Sequence, residues 1–144
     1  MSSIDPTPES FRSLFYAVPA GEPVVMSNLL RFRDRASYGA ERGEPQRSGP
    51  EAYAEFIRCA MPQIESVGGR VIWSGSALHS VIAPAGETWH KVLLVEYPSA
   101  ETFMNMVRSR AYRAITYHRT ASLEDSRLIA IRADVGGPAA ISDR

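Results

Sequence analysis

Val24-Val25-Met26-Ser27-Asn28-Leu29-Leu30-Arg31-Phe32-Arg33 opens the part of the chain that decides the fold. The run is apolar with hardly a break, which is the composition of a strand covered on both faces. A second such run stands at Lys91-Val92-Leu93-Leu94-Val95-Glu96-Tyr97. Each leads to a helix that opens on an acidic residue and an aromatic: Glu51 and Tyr53 within 50–67, Glu101 and Phe103 within 99–118. Each helix leads in turn to a further strand, at 71–82 and 127–132. A β-α-β unit used twice predicts an α+β, ferredoxin-like βαββαβ sandwich, a four-stranded antiparallel sheet with its helices on one face and the two apolar runs as the central pair. The other face is left to solvent or to a second copy, so the pattern also predicts a homodimer joined through the open sheet face.

The flanking segments fit a single domain spanning 1–144, with a core at about 23–132. Within the extension 1–22, Thr7 and Pro8 read as a cap and a first-turn proline of a short helix that docks through Phe11, Leu14 and Phe15. The first long helix should begin near Pro50, where Glu51 suits the positive helix end. Its stripe of Tyr53, Phe56, Ile57, Ala60, Ile64 and Val67 predicts one buried face, with Cys59 as a small border residue and Gly68-Gly69 as the stop. Residues 70–82 alternate, with Ser74, Ser76 and Ser80 on an exposed parity and Val71, Trp73, Ala77 and Val81 on the other. Residues 39–49 lack periodicity and read as a surface loop, and 133–144 read as a flexible tail.

Composition removes several function classes. Sixteen basic and sixteen acidic residues cancel, so no net field draws the chain to nucleic acid or to an anionic membrane. No apolar stretch approaches the roughly 20 residues of a membrane span, and the start lacks the pattern of a secretory signal. With Cys59 as the sole cysteine there is no internal disulfide, and a cytoplasmic location is expected. His79, His90 and His118 are scattered without a close pair, so neither a metal site nor a cofactor is expected. Ser74-Gly75-Ser76 lacks the glycines of a nucleophile elbow, and phosphate-loop and dinucleotide fingerprints are missing. The pair Met104 and Met106 reads as core packing.

Several strings in fixed order carry a resemblance. Met26-Ser27-Asn28-Leu29-Leu30-Arg31-Phe32-Arg33 is followed by Gly68-Gly69-Arg70-Val71 running into Trp73-Ser74-Gly75, then Tyr97-Pro98-Ser99, Tyr112, His118-Arg119 and Asp125-Ser126-Arg127-Leu128. Together they resemble the DUF1330 family of the dimeric α/β-barrel superfamily, over roughly Pro23 to Ile131. His90, after Trp89, departs from the acidic residue that the family pattern leads one to expect. The resemblance implies a ligand site between sheet and helices, the place where superfamily enzymes such as cofactor-independent monooxygenases, isomerases and decarboxylases hold their substrates.

The candidate residues each carry a structural and a functional reading. Asn28 shares its parity with Val24, Met26, Leu30 and Phe32, and an amide buried in that row costs about 1–3 kcal/mol unless a backbone group, a ligand or a water satisfies it. Arg31 has the opposite parity and would either pair with Glu96 or grip a carboxylate. His118 and Arg119, at the close of the second long helix, suit the negative helix end, and in the resemblance they also suit a pocket. Tyr112 precedes Arg119 at helical spacing and should face the sheet. Trp73 and Trp89 are core or dimer aromatics or else ligand platforms. The combined reading is a cytoplasmic homodimer that binds a small organic molecule, with His118 as acid or base and Asn28, Arg31, Trp73, Tyr112 and Arg119 around the ligand. The alternative is a non-catalytic binding or accessory module in which these groups satisfy one another.

Overall fold

The computed structural model describes residues 2–134. The tail expected at 133–144 therefore lies almost wholly outside the described residues. The elements run α1 (Pro8–Ala17), β1 (Val24–Phe32), α2 (Gly49–Ser66), β2 (Arg70–Ser76), β3 (Lys91–Tyr97), α3 (Ala100–Arg108), α4 (Arg110–Arg113), α5 (Thr116–Ser122) and β4 (Leu123–Ile131). The sheet is antiparallel in the order β2-β3-β1-β4, so the two apolar runs are its central pair, as a ferredoxin-like sandwich requires.

Cross-strand register assigns the paired strand residues to a face. Met26 lies opposite Val95 and Ala130, and Asn28 opposite Leu93 and Leu128. That face carries the core, where Val24, Met26, Leu30, Leu93, Val95 and Tyr97 meet Tyr53, Phe56, Ala60 and Ile64 of α2 and Phe103, Met104 and Met106 of α3. Each fully buried large side chain contributes about 1.5–3 kcal/mol by leaving water. On the other face Val25 lies beside Glu96 and Ile131, Ser27 beside Leu94 and Ile129, and Leu29 beside Val92 and Arg127. No helix covers these rows among the described residues, and Ile129 is 52% exposed.

The helix ends follow local chemistry. Thr7, Ser48 and Ser99 each close a capping box, accepting from the backbone N–H three residues on while that residue's side chain accepts in return. Gly68 takes a positive φ of 81° that other residues resist, and the Gly69 N–H returns to the Ile64 carbonyl, so the double glycine does end α2.

Four expectations need correction. The helix expected over 99–118 is three helices, because Ser109 adopts an extended backbone, donates its hydroxyl to the Met106 carbonyl and accepts from the Tyr112 N–H. A serine side chain competes in this way with the helical ladder, ending one helix and capping the next. His118 and Arg119 therefore lie inside α5, which runs on to Ser122, and do not close a long helix. The strand expected to reach Ile82 stops at Ser76, where Ala77 bonds the His90 carbonyl and a loop leaves Val81 and Ile82 in solvent. Trp73 leaves the Val71 parity, because a bulge between them places Trp73 beside Leu94 on the open face, 56% exposed. Arg31 does not pair with Glu96; it reaches Glu124 at 3.6 Å, and Glu96 takes Arg70 at 3.0 Å. Antiparallel pairing causes this, since Glu96 sits opposite Val25 while Leu30 sits opposite Lys91, at the other end of the strands.

Candidate functional site

Between the sheet and the helices lies a cavity of about 790 Å³. Met26, Leu128 and Ala130 form its floor, Phe11 and Leu14 of α1 its roof, and Phe103 and Val107 of α3 one wall. Tyr112 of α4 and Arg119 of α5 add polar groups to that apolar lining. The remaining wall is the N-terminal segment, which is stitched across β4. The Ser3 N–H donates to Asp125 Oδ1 at 2.7 Å, Ser126 Oγ donates to the Ser3 carbonyl, and Thr120 Oγ1 donates to Asp5 Oδ1 at 2.9 Å. Arg119 Nη1 donates to the Ile4 carbonyl at 2.7 Å and stands 3.9 Å from Asp5, with only 12% of its side chain exposed. Burial pushes the Tyr112 phenol above its ordinary value, with the Arg119 charge acting the other way, so the phenol stays protonated near neutral pH.

His118 belongs to a different neighbourhood. At 3.6 residues per turn, successive helical side chains leave the axis about 100° apart, and here Arg119 lines the cavity while His118 turns to Tyr38. His118 is buried against α2 and the loop 33–48, with Nδ1 2.7 Å from the Tyr38 hydroxyl. A polar chain continues from there. Arg47 Nη1 donates to the Tyr38 oxygen at 3.3 Å and to Glu44 Oε1 at 2.8 Å, and the Tyr117 hydroxyl donates to Glu44 Oε2 at 2.7 Å. Tyr117 stacks on His118, and Arg42 lies 4.1 Å over the Tyr117 ring. Burial pushes the His118 imidazole below its usual value against the pull of Glu44 and Glu55, which keeps it neutral at neutral pH.

On the α2 side, Glu55 and Cys59 stand one turn apart and share a face. One donor atom each from Glu55, Cys59 and His118 lie within 4.8 Å of one another. Cys59 Sγ is 3.7 Å from Glu55 Oε1. Arg58 pairs with Glu55 and holds its carboxyl down to about 2. Spacing along the chain predicted no such cluster, yet Glu55 and Cys59 at four residues were visible on one helix; only the distant His118 was not.

The family model described as "Domain of unknown function (DUF1330)" matches residues 46–133, more than half of the chain. The chain belongs to the DUF1330 family. Among solved structures, this DUF1330 protein is similar to the methylated RPA0582 protein, at 39% identity over 95% of this chain and 98% of that one, with a TM-score of 0.85. It is likewise similar to the RPA0582 protein of unknown function from Rhodopseudomonas palustris, at 40% identity over 91% and 96% and a TM-score of 0.82. The hydroxynitrile lyase from Passiflora edulis shares the fold at 11% identity over 82% and 99%, with a TM-score of 0.55. No curated protein matches the chain.

The six residues singled out from the DUF1330 sequence separate in space. Tyr112 and Arg119 line the cavity. The Asn28 amide faces the core, and its Nδ2 donates to the Met26 carbonyl at 3.3 Å and the Leu93 carbonyl at 3.2 Å. Arg31 and Trp73 lie on the open face, and His118 lies in the polar cluster behind α2. Sequence reasoning missed Tyr38, Glu44 and Arg47 altogether, since an aperiodic loop carries no signal of what it folds against.

Proposed function

We propose that this DUF1330 protein is a homodimer whose subunits each bind one small organic molecule, with an apolar body and an anionic or acceptor end, in the cavity beside Arg119. The observation that carries the reading is the cavity itself. Its volume of about 790 Å³ falls within the roughly 300–1,000 Å³ of small-molecule sites, which are mostly apolar with a few placed polar groups. Arg119 has five N–H donors and gives one to the Ile4 carbonyl, so the rest of the fork remains for a ligand acceptor. Binding without catalysis fits better than acid–base chemistry by His118, because that imidazole makes its contact with Tyr38 and does not line this space.

Anilinonaphthalene sulfonate has the required shape and charge and serves as a probe. It should bind one per subunit with enhanced fluorescence. Arg119→Met should weaken that binding about tenfold to a hundredfold, since a hydrogen bond to a charged group is worth about 1.5–3 kcal/mol. Leu128→Trp, which fills the floor, should abolish it, while Ile82→Ser, in the exposed loop after β2, should leave it unchanged. Equal dye binding by wild type, Arg119→Met and Leu128→Trp would remove the proposal.

A further inference from the structure

We propose that Glu55, Cys59 and His118 form a binding site for one divalent transition-metal ion of the zinc class, separate from the cavity beside Arg119. The three donor atoms already lie within 4.8 Å of one another. Metal–donor lengths of about 2.0–2.3 Å at a tetrahedral angle put neighbouring donors roughly 3.3–3.7 Å apart, so closing around an ion takes side-chain rotation of about 1 Å without backbone movement. Cys59 Sγ and Glu55 Oε1, at 3.7 Å, are at that spacing now.

The donor set selects the ion. A thiolate, an imidazole and a carboxylate suit zinc and its neighbours, whereas magnesium and calcium take oxygen ligands. The ring is also supported as ligating histidines are. Its Nδ1 is held at 2.7 Å by the Tyr38 hydroxyl, itself held by Arg47, and Nε2 is the nitrogen left free of that contact.

Two exchanges accompany binding. The Cys59 thiol gives its proton to solvent as the sulfur–metal bond forms. The ion replaces Arg58 as the partner of Glu55, and Arg58, 70% exposed on a long stem, can swing into water. Three protein donors then leave the fourth tetrahedral position to a water molecule.

The test is titration of the full chain, reduced and metal-free, with Co²⁺ and Zn²⁺. Co²⁺ should bind one per subunit with a near-ultraviolet thiolate-to-cobalt charge-transfer band. Cys59→Ser should remove that band and weaken Zn²⁺ at least a hundredfold, with unchanged melting in the absence of metal. His118→Gln should weaken Zn²⁺ to a similar degree, and Arg58→Gln, which removes the competitor for Glu55, should tighten it several-fold. Absence of the charge-transfer band in wild type overturns the proposal. So does Zn²⁺ affinity that Cys59→Ser leaves within twofold, as binding at the exposed His79 would. Cys59 lies at the border of the core, so its serine variant keeps the test decisive even where His118→Gln fails to fold.

Discussion

Gly49→Ala should destabilise the protein by about 3 kcal/mol, although alanine ordinarily favours a helix by about 1 kcal/mol over glycine. Gly49 opens α2 where three elements converge. Its N–H donates to the Arg33 carbonyl at 3.1 Å, and the Arg33 N–H donates to the Ser122 carbonyl at 2.9 Å. A Cβ at this position would lie 2.1 Å from the Arg33 oxygen and 2.8 Å from both the Arg33 nitrogen and the Ser122 oxygen. All three are backbone atoms, so no side chain can rotate aside, and the ends of β1 and α5 must separate from α2. For a domain of this size the loss reads as a fall of roughly 10 °C in melting temperature. Gly43→Ala is the control. Its φ of 66° strains an alanine, but nothing lies within 4 Å, so it should lose only about 1 kcal/mol. Equal melting of Gly49→Ala and wild type would show that the junction is looser than these distances imply. Because α2, α5 and the loop after β1 meet there, Gly49→Ala should also loosen Tyr38 from His118.

The central strands were legible because coverage on both faces leaves its mark in composition alone, and the repeat of the unit at 91–97 supplied the order. The capped starts of α1 and α2 were legible too, since Thr7, Pro8 and Pro50 act on groups within one turn. The break at Ser109 was not, because serine is tolerated within helices, and only the meeting of its hydroxyl with the Met106 carbonyl decides that the helix stops. Trp73 was assigned to the wrong face for a similar reason. One bulged residue inverts the parity of everything after it, and nothing in the side chains near residue 72 announces it. The lining of the candidate cavity was legible only in part. Helical spacing put Tyr112 and Arg119 on one side, and both line the candidate cavity, whereas His118, adjacent to Arg119 in the chain, turns to Tyr38. The cavity owes one wall to the segment 3–5 lying across β4, and contacts between residues more than a hundred positions apart have no local code.

Ile129→Glu should turn a dimer into a monomer at micromolar concentration. The open face has an apolar centre of Val25, Leu29, Val92, Leu94, Ile129 and Ile131, joined by the exposed Trp73. Around it lie ion pairs of both signs, Arg70 with Glu96, Arg31 with Glu124 and Arg127 with Asp125. A second copy related by a two-fold axis would present the same centre and the same mixed rim, as an isologous contact requires. Large apolar patches of this kind mark interaction sites on soluble proteins, and a sheet covered on one side alone is the fold-level reason for one here. A carboxylate at position 129 would be buried without a partner in the dimer and solvated in the monomer, a difference of several kcal/mol and hence more than a hundredfold in dissociation constant. Ile129 makes no part of the helix-side core, so the monomer should keep its fold, although its melting will fall by whatever association had contributed. Tyr16→Glu, on α1 at the opposite side and 90% exposed, should leave the mass unchanged. Light scattering on the eluting protein reads both variants. A wild-type chain that is monomeric at tens of micromolar, or an Ile129→Glu variant with undiminished dimer mass, would mean that the bare side of the sheet tolerates water and that the partner is not a second copy.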